Sequence, residues 1–370
     1  MIYLDNGATS FPKPEGVIQA VNQAMQTCAN PGRGGHDAAQ MAAQAVFSCR
    51  QTAAELFDCL PEQVVFTQNC THGLNMAIRT LVRPGDRVVI SGFEHNAVTR
   101  PLHDLRARIR VAGRRLFDPE DTLRDFRRAL NSGARAAVFT HVSNVFGYVL
   151  PVEELADICR RRGIPFVIDA AQSAGTEEVS LKKLGADFIA MPGHKGLLGP
   201  MGTGIVLCNR LPRPLICGGT GSESLRQQMP DFLPDRGEAG TLNVPGIAGL
   251  EAGLQTVLDL GRETLRVREG RLAAGAAEML KGLGMEVFSG PHQAGTLSFR
   301  CGMDCEEAAQ KLSEAGIALR AGLHCAPLAH ESAGTQGTGT LRLSFGWQNE
   351  ESQLRGLEEA VRTRTALAKP

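Results

Sequence analysis

Lys195 stands between His194 and Gly196 in GHKGLLGP, residues 193–200. A P-loop requires GxxxxGK followed by Ser or Thr. Most of the glycines here follow the lysine, so order alone excludes that reading. The stretch comes directly after an apolar run, DFIAM (187–191), and Asp169 ends another, PFVID (165–169). An aspartate closing an apolar strand is costly to bury unless a cation or hydrogen bonds compensate it. A lysine near it, partly desolvated, has a lowered pKa and becomes a usable nucleophile. Other apolar runs also end in reactive groups: QVVFT leads to Thr71, RVVIS to His95, AAVFT to Asn144, and PFVID to Gln172 beyond Asp169. Taken singly, Thr, Asn and Asp are natural helix caps. Capping does not call for two histidines and a lysine at the same edge.

One ligand suits the whole set. Pyridoxal phosphate needs a lysine that bonds to it covalently and a carboxylate that keeps its pyridine nitrogen protonated. Thr71 and Gly73 open a helix at THGLNMAIRTL, where backbone N–H groups favour a phosphate. His95 suits stacking on the ring, and Gln172 suits a hydrogen bond to its phenolic oxygen.

The elements that must position these residues read as α/β. QVVFT (63–67), RVVIS (87–91), AAVFT (136–140), PFVID and DFIAM are short apolar runs alternating with amphipathic stretches such as LPVEELADICRRRG. This alternation predicts a mostly parallel sheet covered by helices on both faces, with ligands at the carboxyl ends of the strands. We expect a large cofactor domain over 16–249. A smaller α/β domain follows over 250–370, with 1–15 folding back beside the site; MEVFSG, TLSFR and TLRLSFG supply its strands.

Composition sets outer limits. The chain has 370 residues, 43% hydrophobic and 21% charged, as in ordinary globular proteins. Lys+Arg and Asp+Glu are both 39, so no global charge favours nucleic acid or an anionic membrane. RRR at 160–162 reads as a solvated helix end. No apolar run reaches a membrane span, and MIYLDNGATSFPKP lacks the pattern of a secretory signal. The ten cysteines show no paired metal-site spacing, so no metal is expected; a reducing, cytoplasmic setting is.

Beyond the strand ends, RAGLHCAPLAH places Cys325 on a Gly/Pro-bearing loop between His324 and His330. A free cysteine is most often a small buried hydrophobe, but flanking histidines suit a thiolate, the form that attacks sulfur. The glycine-rich stretch LAHESAGTQGTG after it reads as mobile. Arg342 in LRLSFG offers a planar guanidinium for a carboxylate. Arg33 and His36 in GRGGH read either as the site entrance or as a helix cap. GGTGSES (218–224) reads as a flexible turn near a dimer interface.

In order and spacing, YLDNGAT, NPGRGGH, THGLN, FEHNAV, HVSNVFG, IDAAQSAG, PGHKGLLGP, EAGTLN, RAGLHCAP and RLSFGWQNEE span nearly the whole chain. The chain resembles the class V aminotransferase-fold enzymes, specifically the cysteine desulfurase/selenocysteine lyase family. The resemblance implies fold type I and a pyridoxal 5'-phosphate cofactor bonded to Lys195, with Asp169 at the pyridine nitrogen and His95 stacked on the ring. It makes Asn144 and Gln172 neighbours of the cofactor oxygen and substrate, and Thr71 and His194 phosphate contacts. Thr241 in EAGTLN resembles the phosphate ligand supplied by the second subunit of a homodimer. Cys325 becomes the nucleophile that takes sulfur from L-cysteine as a persulfide, leaving L-alanine, with Arg342 on the substrate carboxylate and a protein as sulfur acceptor. Pro192, Cys70, His72 and Leu323 depart from the commoner residues of relatives. The alternatives are a selenocysteine lyase acting on L-selenocysteine, and a protein of this fold that has lost turnover and serves as a binding or sulfur-carrier subunit. A true aminotransferase would have no need of the loop cysteine.

Overall fold

The structure, a computed structural model, describes residues 1–32 and 34–364. The first part of the chain runs β1 (Ile2–Tyr3), α1 (Glu15–Thr27), α2 (Asp37–Leu56), β2 (Val64–Thr67), α3 (Cys70–Leu81), β3 (Arg87–Ser91), α4 (Asn96–Asp104), β4 (Arg108–Ala112), α5 (Pro119–Leu130) and β5 (Ala136–Thr140). It continues through α6 (Val152–Arg162), β6 (Phe166–Asp169), α7 (Leu181–Leu184), β7 (Phe188–Pro192) and β8 (Gly204–Cys208). The remainder is α8 (Val244–Leu260), α9 (Arg262–Gly282), β9 (Glu286–Phe288), β10 (Thr296–Arg300), α10 (Cys305–Glu314), β11 (Ile317–Ala318), β12 (Arg320–Gly322), α11 (Pro327–Ala333), β13 (Thr340–Ser344) and α12 (Ser352–Arg364).

Seven strands form the main sheet in the order β2-β8-β7-β6-β5-β3-β4. Pairings from β7 through β4 are parallel, while β8 runs against both β7 and β2. Strands β5, β6, β7 and β8 are buried at every residue, because helices cover both faces. Alternate residues of each strand enter opposite cores: Ala137, Phe139, Ile168 and Ile189 pack on one face, Ala136, Val138, Val167 and Phe188 on the other. A second sheet, β12-β13-β10-β9, shares a separate core with α9, α10 and α12 that includes Leu4, Leu272, Leu297 and Leu312.

The alternation expected from sequence is present, with two strands added. Neither β4 nor β8 was anticipated. The burial of β4 alternates along RIRVA at the sheet edge, and β8 is a buried run entered from a glycine turn. The N-terminal segment lies beside the strand ends. Asp5 bridges in parallel to Ser344, and the Ser10 amide and the Lys13 ammonium both donate to the His194 carbonyl at 3.0 and 2.8 Å. Arg160–Arg162 occupy the exposed last turn of α6, with Arg160 and Arg161 paired to Asp157. Among the described residues no helix is long and apolar enough to cross a membrane. Arg33 lies outside the described residues, and His36 precedes α2 without a side-chain capping bond.

Candidate active site

Glycines let the chain bring Lys195 to the ends of β6 and β7. A Cβ on Gly193 would stand 2.1 Å from Thr203 Oγ1, and one on Gly196 would stand 2.3 Å from the Ala174 carbonyl. Neither position accepts a side chain without displacing its neighbours. Asp169, 2% exposed at the end of β6, accepts the Ala171 amide at 2.9 Å and the Cys70 thiol at 3.5 Å, both through Oδ1. Burial pushes the Lys195 ammonium below its usual pKa and Arg342 adds to the effect, while Asp169 opposes it. No hydrogen bond or ion pair among the described residues takes up Lys195 Nζ.

His95 caps α4, its Nδ1 accepting the Ala97 amide at 3.0 Å. Because Nδ1 accepts, a neutral ring carries its proton on Nε2. Burial lowers its pKa, with Asp169 opposing and Lys195 reinforcing the shift. His194 Nδ1 is buried without a partner, and burial pushes this histidine down to about 4. Gln172 donates to the Gly7 carbonyl at 2.9 Å, which secures the N-terminal segment to the site.

At the start of α3 the structure alters one detail. Asn69 caps the helix by accepting the His72 amide at 2.9 Å, so the helix begins at Cys70. The Gly73 amide already bonds the Asn69 carbonyl at 3.3 Å and is not a free phosphate donor. Gly73 is instead a packing residue, since a Cβ there would lie 2.3 Å from Val206 Cγ2.

Arg342 on β13 is 2% exposed and donates through Nη1 to the Asn144 carbonyl at 2.9 Å and through Nη2 to Asp5 Oδ1 at 2.7 Å. Its Nε is buried without a partner. Asn144 in turn donates to the His324 carbonyl at 2.7 Å, and the Asn96 amide donates to the Cys325 carbonyl at 2.8 Å. Both flanks of the cysteine are thus tied to the large sheet. His324 and Cys325 adopt φ of 49° and 56°, a left-handed pair without glycine that costs conformational energy and turns an exposed thiol out of the chain.

One sequence expectation fails here. His324 and His330 are buried, and burial pushes their pKa values down to about 2 and about 4, so both are neutral and offer no cation to a thiolate. The first half of the stretch after Cys325 forms α11, which ends at Ala333, with His330 Nδ1 2.7 Å from Thr335 Oγ1; its glycines 334, 337 and 339 lie beyond the helix in turns.

Thr71, His95, Asn144, Asp169, Gln172, His194, Lys195, Cys325 and Arg342 all line one cavity of about 290 Å³. Thr241 does not. It lines a separate cavity of about 150 Å³ with Gln68, His72 and Glu238. Sequence reasoning missed Arg320 at the main site and Asp5 behind it, and it gave Cys70 no bond to Asp169. RAGLHCAP contains Arg320, and its arginine was the available signal; the roles of Asp5 and Cys70 come from contacts distant in sequence.

A half-buried lysine without a hydrogen-bond partner near an aspartate, and a buried arginine with its Nε unpaired, fit a cofactor with a cationic ring and an anionic substrate. Comparison with known proteins agrees. The model of the family described as Aminotransferase class-V matches residues 2–357. A probable cysteine desulfurase of Pyrococcus abyssi is 34% identical over 98% of this chain and 95% of the relative. One from Methanothermobacter thermautotrophicus is 34% identical over 97% and 94%. The apo structure of a cysteine desulfurase from Thermococcus onnurineus superposes with a TM-score of 0.89 at 30% identity, covering 98% of this chain and 94% of that one. From strand order to the residues around Lys195, the chain belongs to the class V aminotransferase family.

Proposed function

We propose that the protein is a pyridoxal 5'-phosphate-dependent cysteine desulfurase that converts L-cysteine to L-alanine and passes the sulfur through Cys325 to a protein acceptor. One observation carries the reading: Lys195, Asp169, Arg342 and the exposed Cys325 thiol line a single cavity. Lysine, aspartate and arginine suit an amino-acid enzyme of this family. The thiol at the same cavity distinguishes sulfur abstraction from amino transfer. The names of the 30–34% identical relatives support the same assignment.

Lys195 would hold the cofactor covalently, Asp169 would face its pyridine nitrogen, and His95 would lie against its ring, with Thr71 and His194 toward its phosphate. When bound, the cofactor supplies an electron sink for the amino acid's α-carbon. Arg342, which lines the cavity, receives the substrate carboxylate, and the Asn144 carbonyl keeps that guanidinium in place. Lys195 Nζ, held below its usual pKa by burial, takes the α-proton. The Cys325 thiolate attacks the substrate sulfur. An S–S bond forms, the C–S bond breaks with its electron pair remaining on carbon, and that carbon takes a proton to give alanine. Because hydrogen bonds to Asn96 and Asn144 tie the Cys325 turn down, the acceptor comes to the thiol.

Alanine formation from L-cysteine and L-selenocysteine, measured side by side for wild type and Cys325→Ala, tests the reading. Cysteine turnover that disappears in the variant while cofactor absorbance persists is expected. Turnover confined to selenocysteine, or surviving without Cys325, overturns it in favour of a lyase.

A further inference from the structure

Arg320 and Arg342 face each other in register on β12 and β13. Side chains at paired antiparallel positions are neighbours, and like charges there repel. One carboxylate relieves the repulsion: Asp5 takes Arg320 Nε at 3.1 Å on Oδ2 and Arg342 Nη2 at 2.7 Å on Oδ1. Both arginines line the cavity that holds Lys195. Asp5 is rigidly presented. The Leu4 amide bonds the Ala318 carbonyl at 2.8 Å, the Ser344 amide bonds the Leu4 carbonyl at 2.7 Å, and Asp5 bridges to Ser344. Its side chain is only 14% exposed, so solvent screens it weakly.

The charge balance of this end of the cavity then has a consequence for substrate choice. Two guanidiniums and one carboxylate leave a single net positive charge, with one buried donor, Arg342 Nε, unused. We propose that Asp5 is a specificity-determining residue: by neutralising Arg320 it confines the site to amino acids with one carboxylate and disfavours those with an acidic side chain. An acidic side chain meets Arg320 already paired to Asp5 instead of a free guanidinium. The neutral thiol of cysteine carries no such penalty. The inference rests on the amino-acid reading of the site and deepens it by naming the substrate class excluded.

The test is equilibrium binding of L-alanine and L-aspartate to the cofactor-loaded protein by calorimetry, in wild type, Asp5→Asn and Asp5→Glu. One unit charge in a partly exposed site corresponds to a change on the order of tenfold. Asp5→Asn is therefore expected to improve aspartate affinity relative to alanine about tenfold, and Asp5→Glu to keep the wild-type ratio. An unchanged ratio in Asp5→Asn overturns the proposal. So does loss of binding of both ligands in that variant, because Arg342 must keep its own carboxylate site, and so does an equal change in Asp5→Glu, which would point to geometry instead of charge. L-Cysteine turnover by the same wild-type preparation is scored separately. Its absence would remove the desulfurase reading, while the binding ratio still decides the role of Asp5.

Discussion

At the scale of single residues, burial sorts thiols and acids that look alike in the sequence. Cys325 and Cys217 are exposed, whereas Cys49, Cys70 and Cys208 are buried and pushed well above the usual thiol range. Brief iodoacetamide treatment at pH 7.5 is expected to modify Cys325 and Cys217 and spare those three, as read by peptide mass spectrometry; early labelling of Cys70 would contradict its hydrogen bond to Asp169. Glu94 is fully buried and pushed up to about 8 by desolvation. Its Oε1 accepts the Ser91 and Thr140 amides and the Ser91 hydroxyl, while Oε2 has no partner, so the neutral acid is the favoured form. The folded state therefore binds this proton more tightly than the unfolded chain. The stability it confers is complete below about 4.5 and drains away as pH rises through about 8. Glu94→Gln, which cannot ionise, is expected to gain on wild type by on the order of 2–4 kcal/mol between pH 5 and pH 9. Thermal melts across that range check the slope. His141, pushed down to about 4 by burial, acts with the opposite sign and costs stability as pH falls below about 6.5. The lysine, its aspartate and the strand-end histidines were legible in sequence because each follows directly on an apolar run. Asp5 was not, because its partners Arg320 and Arg342 lie more than three hundred positions away and only the fold brings them together.

At the scale of elements, the central strands were legible and the edges less so. A continuous apolar run such as AAVFT signals burial on both faces, and β5 is buried throughout. The arginines of RIRVA at the edge hide β4 from such a reading. Helix α3 shows how packing overrides propensity. Alanine in place of an interior helix glycine ordinarily stabilises by up to about 1 kcal/mol. At Gly73 the new methyl would meet Val206 at 2.3 Å and force α3 off β8, so Gly73→Ala is expected to destabilise by about 1–3 kcal/mol in urea denaturation. The hydrogen bonds that hold the turn at Cys325 come from other elements and were not legible in the local sequence. With Asn144 holding the His324 carbonyl and the Asn96 amide holding that of Cys325, the thiol is presented by a strained, fixed turn. Asn144→Ala removes one of these ties and also leaves the turn's carbonyl unpaired. Sulfur transfer to Cys325 is expected to slow at least tenfold while cofactor content holds, as followed by persulfide labelling.

At the scale of the whole molecule, Thr241 poses the sharpest question. The sequence motif EAGTLN assigns it to a phosphate site, yet in the single chain it lines a cavity apart from Lys195. The preceding segment leaves single apolar side chains uncovered, with Leu225 at 99% exposure and Ile216 at 54%. The expected homodimer, in which each subunit lends Thr241 to the other, would cover these side chains and bring Thr241 to the partner's cofactor site. Subunit mixing distinguishes this arrangement from a merely structural Thr241. Lys195→Ala homodimers are expected to be inactive, and Thr241→Ala homodimers to bind the cofactor at least tenfold more weakly. In a mixed dimer of the two variants, one site would combine Lys195 of one chain with Thr241 of the other and be intact, whereas the second would lack both. Half of the sites in the mixed dimer should then bind with wild-type affinity. If each chain used its own Thr241, no site in the mixed dimer would be intact, and tight binding would not return.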